Sequence, residues 1–418
     1  MASSLRRLLA KIIKKGTVTV SGPAGTEVFG GGGGRTLAIR FTDAEAEEEI
    51  ASDPQLKLAE VYMDGRLIFE EGDIYDLLAL VKENTLSEAL TPGMIWRGLM
   101  RIAAARIRHG IPVNHNRRNV AHHYDLSAKL FDLFLDEDWQ YSCAYFNPPG
   151  IGLYEAQLAK KRHIAAKLLV EPGQRVLEIG SGWGGMAMYL AEAAGVDVTG
   201  ITLSQEQLRV SRDRAARRGI SDRVRFELED YYYLSPATKY DRLVSVGMFE
   251  HVGRLNHGRF FRKVNEVLDD DGVMVLHAIG QPYPARYNNP FIERYIFPGG
   301  YIPSLAEVMP VVEKAGLLVA DIEILPMHYA HTLRHWRERF LARRQEAAAL
   351  YDERFVRMWE FYLAGSEMAF THENFFIFQM QITKKRMAVP DNRDYIAERE
   401  ARLKEFEAGR PPLEPVSF

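Results

Sequence analysis

Cysteine is nearly missing from this chain: Cys143 is the single one in 418 residues. One thiol excludes a disulfide framework and a cysteine-built zinc site, and it fits a reducing cytoplasm. A surplus of either charge is missing too. The 53 Lys and Arg against 56 Asp and Glu leave a net charge of −3, which gives no case for nucleic acid as a partner. Runs of about 18 apolar residues are absent, so no transmembrane helix is expected. The opening stretch M-A-S-S-L-R-R-L-L-A-K-I-I-K-K-G does not read as a signal peptide, because charges interrupt every apolar core.

What is present describes a globular protein, 47% hydrophobic and 26% charged, too long for one ordinary core. Leu5, Leu8, Leu9, Ile12 and Ile13 recur at helical spacing, with Arg6, Arg7, Lys11, Lys14 and Lys15 between them. Such a helix either lies on an anionic membrane surface or docks on the protein with a solvated basic face. T-V-T-V, E-V-F and R-T-L-A-I-R-F, with glycines at 30–34, predict a β-meander with a flexible hairpin loop. Residues 43–108 read as mostly helical, with a turn at Met63-Asp64-Gly65. Residues 1–108 form the expected amino-terminal domain, and the polar, proline-containing stretch 109–119 a linker.

Helical segments at 127–135 and 154–169 follow. Short Val-, Ile- and Leu-rich strands then alternate with helices, which predicts an α/β domain over 120–385, a doubly wound, mostly parallel sheet. A helical insertion is expected over about 328–371, and residues 386–418 read as a charged extension.

V-L-E-I-G-S-G-W-G-G (176–185) leads an apolar strand into glycines at 180, 182, 184 and 185, and a helix follows. The glycines satisfy G-x-G-x-x-G and let the backbone bend and approach a ligand closely. NAD enzymes share that motif. Two features point elsewhere. Glu178 stands at the strand end, where its carboxylate suits the ammonium of an amino-acid-bearing ligand. The next strand ends in Gly200, Ile201, Thr202, Leu203 and Ser204 without the acid that would hold ribose hydroxyls in an NAD site, and Asp197 is at the wrong end. Thr202 and Gln207 are the polar candidates.

These residues resemble the S-adenosylmethionine (SAM) loop of the cyclopropane-fatty-acid synthase and mycolic-acid methyltransferase family. The likeness continues in H-H-Y-D-L-S (122–127), Q-Y-S-C-A-Y-F (140–146), S-V-G-M-F-E-H-V-G (245–253), L-H-A-I-G (276–280), F-I-E-R-Y-I-F-P-G-G (291–300) and H-Y-A-H-T-L-R-H-W (328–336). It extends to L-A-E-V-Y-M-D-G near residue 60, and so covers about residues 50–385. It implies a class I SAM-dependent methyltransferase domain with a smaller mixed α/β amino-terminal domain. The implied activity is cyclopropanation of cis double bonds in acyl chains of membrane phospholipids. A homodimer is implied, cytoplasmic and peripheral on the inner membrane face.

That chemistry needs SAM beside a dry acyl channel. It needs stabilisation of a transient cation without trapping it, and a base within reach of the new methyl. Aromatic faces stabilise cations without trapping them, and Tyr141, Tyr145, Phe146, Phe291, Tyr295, Phe297, Tyr301 and Tyr329 supply an aromatic set. The resemblance implies a bound bicarbonate as base, held by Glu250, His277 and Tyr329, with backbone near Cys143 and Ile279 completing the cradle. A small anion survives in an apolar pocket only when fully hydrogen-bonded. For SAM the resemblance implies Tyr141 and Ser142, then Gly180, Gly182, Thr202, Leu203, Ser204 and Gln207 for methionine and ribose, and Asp230 and Tyr231 beside the adenine. Tyr232 departs from the arginine that many relatives carry. No metal is expected. Cys143 is expected to stay protonated and to shape the pocket.

Two other outcomes remain at this level. The same cation could lose a different proton and give a methyl- or methylene-branched chain. A non-enzymatic lipid binder could have kept the fold, although the intact glycine loop, Glu250, His277 and Tyr329 argue against it.

Overall fold

A computed structural model of the chain describes residues 3–84, 100, 126–284 and 288–409. It divides into two compact units. One comprises Met1–Ile111, Arg286–Pro298 and Leu333–Asn374; the other comprises Pro112–Ala285, Gly299–Thr332 and Phe375–Phe418. The expected linker at 109–119 and most of the 122–127 motif lie outside the described residues.

The first unit begins with α1 (Ser4–Ile12), β1 (Gly16–Ser21), β2 (Glu27–Gly32), β3 (Thr36–Phe41), α2 (Ala44–Ser52), α3 (Pro54–Met63), β4 (Leu67–Glu71) and α4 (Ile74–Glu83). The expected meander does not form. The sheet order is β2-β1-β3-β4, and β1 pairs antiparallel with β2 but parallel with β3. Alternation decides the register: Val18 and Val20 on β1 and Leu37 and Ile39 on β3 are all buried. Part of the glycine run is strand and not loop. A Cβ at Gly30 would fall 2.2 Å from the Gly16 carbonyl oxygen, so β2 can run over the start of β1 only with glycine there. β4 is a strand in a region read as mostly helical. The Met63-Asp64-Gly65 turn is where expected and leads into it, with Gly65 at φ 73°.

Leu5, Leu8, Leu9 and Ile12 of α1 are buried, and Arg6 bonds in the interior to Glu47 at 3.0 Å. The docked reading of this helix is the one the structure holds. The helix Glu353–His372 belongs to the same unit. Its Glu360 accepts the Tyr62 hydroxyl at 2.8 Å, and its buried Glu367 accepts from Arg334 and Arg337 at 3.0 Å each. Phe291 packs edge-on against Phe361 and Phe297 against Tyr362. Two members of the expected aromatic set, Phe291 and Phe297, thus pack within this unit.

The second unit holds β5 (Arg175–Ile179), β6 (Asp197–Thr202), β7 (Val224–Leu228), β8 (Tyr240–Val246), β9 (Leu268–Gly280), β10 (Leu318–Leu325) and β11 (Phe376–Thr383) in the order β10-β11-β9-β8-β5-β6-β7. β11 runs antiparallel to β9 and β10; the other pairs are parallel. The doubly wound sheet is therefore as expected. One face packs Leu177, Leu276 and Met380 against the helices His257–Val267 and Leu305–Lys314. The other packs Val176, Val198 and Val275 against Leu153–Leu168 and Gly185–Ala194. Strand order reverses between β8 and β5, the place where such sheets bind ligands.

The helix Leu153–Leu168 breaks an ordinary expectation. Lys160, Lys161, Arg162, His163 and Lys167 are all buried. Each has a polar or charged partner outside the helix. The carboxy-terminal helix Asp394–Ala408 supplies two of them: Glu407 pairs with Arg162 at 2.6 Å, and Glu400 reaches His163 Nδ1 at 2.5 Å.

Candidate active site

The β5–helix junction opens one side of a cleft of about 990 Å³, part of it open to solvent. Gly180, Gly182 and Gly184 all have positive φ. At Gly180 the need is also steric, because a Cβ would meet Met248 at 2.7 Å. Glu178, Gly180, Gly182, Thr202, Leu203, Gln207, Asp230 and Tyr231 line the cleft, as do Tyr141 and Ser142. Ser204 does not. It caps the helix Gln205–Arg217, its Oγ accepting from the Gln207 N–H at 3.3 Å, and so holds Gln207 in place. Thr202 Oγ1 donates to Gln207 Oε1 at 2.8 Å.

Glu178 is buried, and its Oε2 has no hydrogen-bond partner. Burial pushes its carboxyl up to about 8, and the Lys160 charge and Ala187 N–H offset only part of this. Tyr232, the departure from the family pattern, is 44% exposed, packs beneath Arg259 at 5.1 Å and does not line the cleft.

The Q-Y-S-C stretch is fixed from the helix Leu153–Leu168. Gln157 Nε2 donates to the carbonyls of Gln140 and Ser142 at 3.2 and 2.9 Å. Lys160 Nζ donates to Gln140 Oε1 at 2.6 Å and Ser142 Oγ at 2.8 Å. Burial pulls Lys160 down to about 8. Behind the glycine loop, Asp138 accepts from Lys161 and Arg214 at 2.5 Å each, and Arg214 also donates to the Trp183 carbonyl. Burial alone would raise the Asp138 carboxyl, but Lys161, Arg214 and Arg218 outweigh it and hold it well below the usual range. Trp183 packs edge-on against Trp139 at 5.2 Å, and Tyr141 against Phe131 at 5.1 Å.

Cys143 is 1% exposed, and its Sγ donates to the Ala144 carbonyl at 3.2 Å. Burial pushes the thiol far above its ordinary range. The neighbouring Ala144 N–H donates to Thr332 Oγ1 at 3.0 Å, and the Phe146 N–H to His328 Nδ1 at 2.9 Å. These bonds tie the stretch to the first turn of the helix His328–Ala342, which also carries Tyr329. Tyr145 stacks between His163 and His328, with ring centroids at 4.3 and 5.1 Å.

Glu250 lies just beyond β8. Its Oε1 accepts the Ile279 N–H at 2.6 Å, and its Oε2 is buried without a partner among the described residues. Burial pushes this carboxyl up to about 7, the Ile279 bond working against the shift. The Ile279 N–H is therefore spent on Glu250 and anchors it. His277, two residues earlier on β9, keeps Nε2 buried and without a partner among the described residues, while Nδ1 faces Gln379 Nε2 at 3.2 Å. Burial holds His277 well below its ordinary value. Tyr301 adds a bond from its N–H to the Glu250 carbonyl at 2.8 Å.

The sequence reading missed Trp139, Trp183, Glu229 and His251 in the cleft wall. It also missed Gln157, Lys160 and Gln379 behind it. Gln379 and Gln381 did leave a signal: they are amides in an otherwise apolar strand, F-I-F-Q-M-Q-I-T.

The model of the mycolic acid cyclopropane synthetase family matches residues 113–380. The chain belongs to that family. A probable fatty acid methyltransferase from Pseudomonas putida is 37% identical over 75% of this chain and 78% of its own. The cyclopropane-fatty-acyl-phospholipid synthase of Escherichia coli K12 is 35% identical over 83% of this chain and 87% of its own. Among solved structures, the mycolic acid cyclopropane synthase CmaA1 complexed with SAH and CTAB is 33% identical, with a TM-score of 0.61. The match covers 65% of this chain and 99% of that one. The second unit thus has the fold of SAM-dependent methyltransferases, and this family member is such an enzyme.

Proposed function

We propose that this enzyme transfers a methylene from SAM to the cis double bond of unsaturated acyl chains in membrane phospholipids, forming cyclopropane fatty acids. The observation that carries the reading is the pair of partnerless atoms, Glu250 Oε2 and His277 Nε2, buried at the ends of neighbouring strands. Orphaned polar atoms at such depth call for a ligand.

SAM supplies an electrophilic methyl when bound. Glu178 receives its ammonium, and the glycine loop, Thr202 and Gln207 receive the rest of the amino acid and the ribose. Asp230 and Tyr231 flank the adenine. That a relative was solved with SAH, the demethylated form of SAM, supports this assignment.

The residues around Glu250 fit a small bound acid-base anion. Glu250 would accept from such an anion and His277 and Tyr329 would donate to it, and bicarbonate there would supply the base that ring closure requires. Cys143 has neither the ionisation nor the position for attack. Its burial keeps a nucleophile away from the positive charge that develops on the acyl chain.

The substrate is lipid, so the enzyme works peripherally at the inner membrane face, as a homodimer. No described helix is long and apolar enough to cross a membrane. The test is expression in a host without cyclopropane lipids, followed by lipid mass spectrometry. A gain of one CH₂ in monounsaturated chains with loss of the double bond supports the reading; unchanged lipids sink it. The name of the Pseudomonas relative favours a second reading, methylation without ring closure. Trideuteromethyl SAM separates the two, because a ring loses one deuterium and a methyl-alkene keeps all three.

A further inference from the structure

Helix, strand and imidazole form one hydrogen-bonded line in the second unit. Lys167 Nζ donates to Gln379 Oε1 at 3.0 Å, and Gln379 Nε2 lies 3.2 Å from His277 Nδ1. Gln379 and His277 are direct cross-strand partners on β11 and β9.

The donor inventory leaves one assignment. An ammonium has donors and no acceptor, so the Gln379 oxygen must face Lys167 and its NH₂ must face His277. Glu323 bonds the same ammonium and opposes the burial that lowers Lys167. An amide NH₂ facing Nδ1 requires Nδ1 to accept. The one proton of a neutral imidazole then sits on Nε2, the buried atom with no protein partner.

We propose that Gln379, oriented by Lys167, is a positioning residue that holds His277 in the Nε2–H tautomer, so that the ring presents a donor to the bound anion beside Glu250. The inference rests on the functional reading above only for what the donor faces; the tautomer itself stands on the protein's own atoms. Burial, which keeps His277 neutral, agrees with it.

The experiment is ¹⁵N NMR of histidine-labelled full-length protein without substrate, with His277 assigned by the signals lost in His277→Asn. A protonated-type shift at Nε2 and an unprotonated-type shift at Nδ1 are expected. The reverse pattern overturns the proposal whether or not Gln379→Glu folds. Gln379→Glu provides the second arm. It keeps the shape and the bond to Lys167 but offers only acceptors, so a proton is drawn to Nδ1. Turnover should fall about ten- to a hundredfold, with thermal midpoint and SAM affinity close to wild type. Wild-type turnover and unchanged His277 shifts in Gln379→Glu would overturn it. A correct tautomer in a protein that never modifies lipid would refute the functional reading and leave this inference standing.

Discussion

Glu250 Oε1 takes the backbone N–H of Ile279 at 2.6 Å and leaves Oε2 buried with no protein partner. One carboxyl is thereby both anchored and available. Its raised value of about 7 has a consequence for stability. A carboxyl that titrates higher in the folded than in the unfolded state stabilises the fold at low pH. That contribution is lost as pH climbs from the unfolded value, near 4.5, through 7. Glu250→Gln removes the penalty and keeps the bond to Ile279. It should be more stable than wild type at pH 8, by on the order of 2 kcal/mol, and of equal stability at pH 4.5, while losing more than about 99% of turnover. Paired denaturant titrations at the two pH values check the first half. A variant less stable at pH 8 would contradict it.

Glu178 predicts a linkage between SAM binding and pH. With its carboxyl at about 8 in the free protein, binding a ligand ammonium must ionise it. Affinity should rise about tenfold per pH unit below 8 and level off above. Calorimetry at pH 7 in two buffers of different ionisation enthalpy should report release of close to one proton. In Glu178→Gln the pH slope should vanish and affinity at pH 8.5 should fall about tenfold or more.

Cys143 should be inert. Buried and held as the thiol, it should react with iodoacetamide only after unfolding. Cys143→Ser should keep at least about half the wild-type turnover, since the bonds that hold this stretch come from backbone atoms and from Gln157 and Lys160. Loss of turnover in Cys143→Ser with SAM binding intact would assign the sulfur a role in the chemistry.

Tyr232→Arg, which introduces the residue that the family resemblance implies, should change SAM affinity less than about twofold. The side chain is exposed, lies under the Arg259 guanidinium and is not among the residues that line the cleft. Calorimetry with SAM is the measurement.

Much of the cleft lining was readable because its residues sit in contiguous motifs at strand ends. Gly180, Thr202 and Asp230 each close one strand–loop junction, and the sheet brings those junctions together. Ser204, a candidate for SAM, is a helix cap outside the cleft lining; a helix cap and a ligand contact look alike in a sequence. The parallel pairing of β1 with β3 was illegible, because glycines at 30–34 read as a loop when close backbone approach is what they permit. Lys161, His163 and Lys167 are buried on a helix whose own sequence carries no sign of it. Their burial depends on Asp138, Glu323 and Glu400, which lie far along the chain. No local pattern could reveal those pairings.

The ion-paired helix Leu153–Leu168 has a consequence for how this sequence can drift. Lys167 answers to Glu323 and Gln379 at once, and His163 to Glu323 and Glu400. A change at any one of these positions strands a charge or an amide in the interior, which costs several kcal/mol. Descendants of this sequence should therefore exchange them as a set or not at all. A related chain with an apolar residue at the place of Lys167 should also have replaced Glu323, and should steer the histidine of β9 by other means.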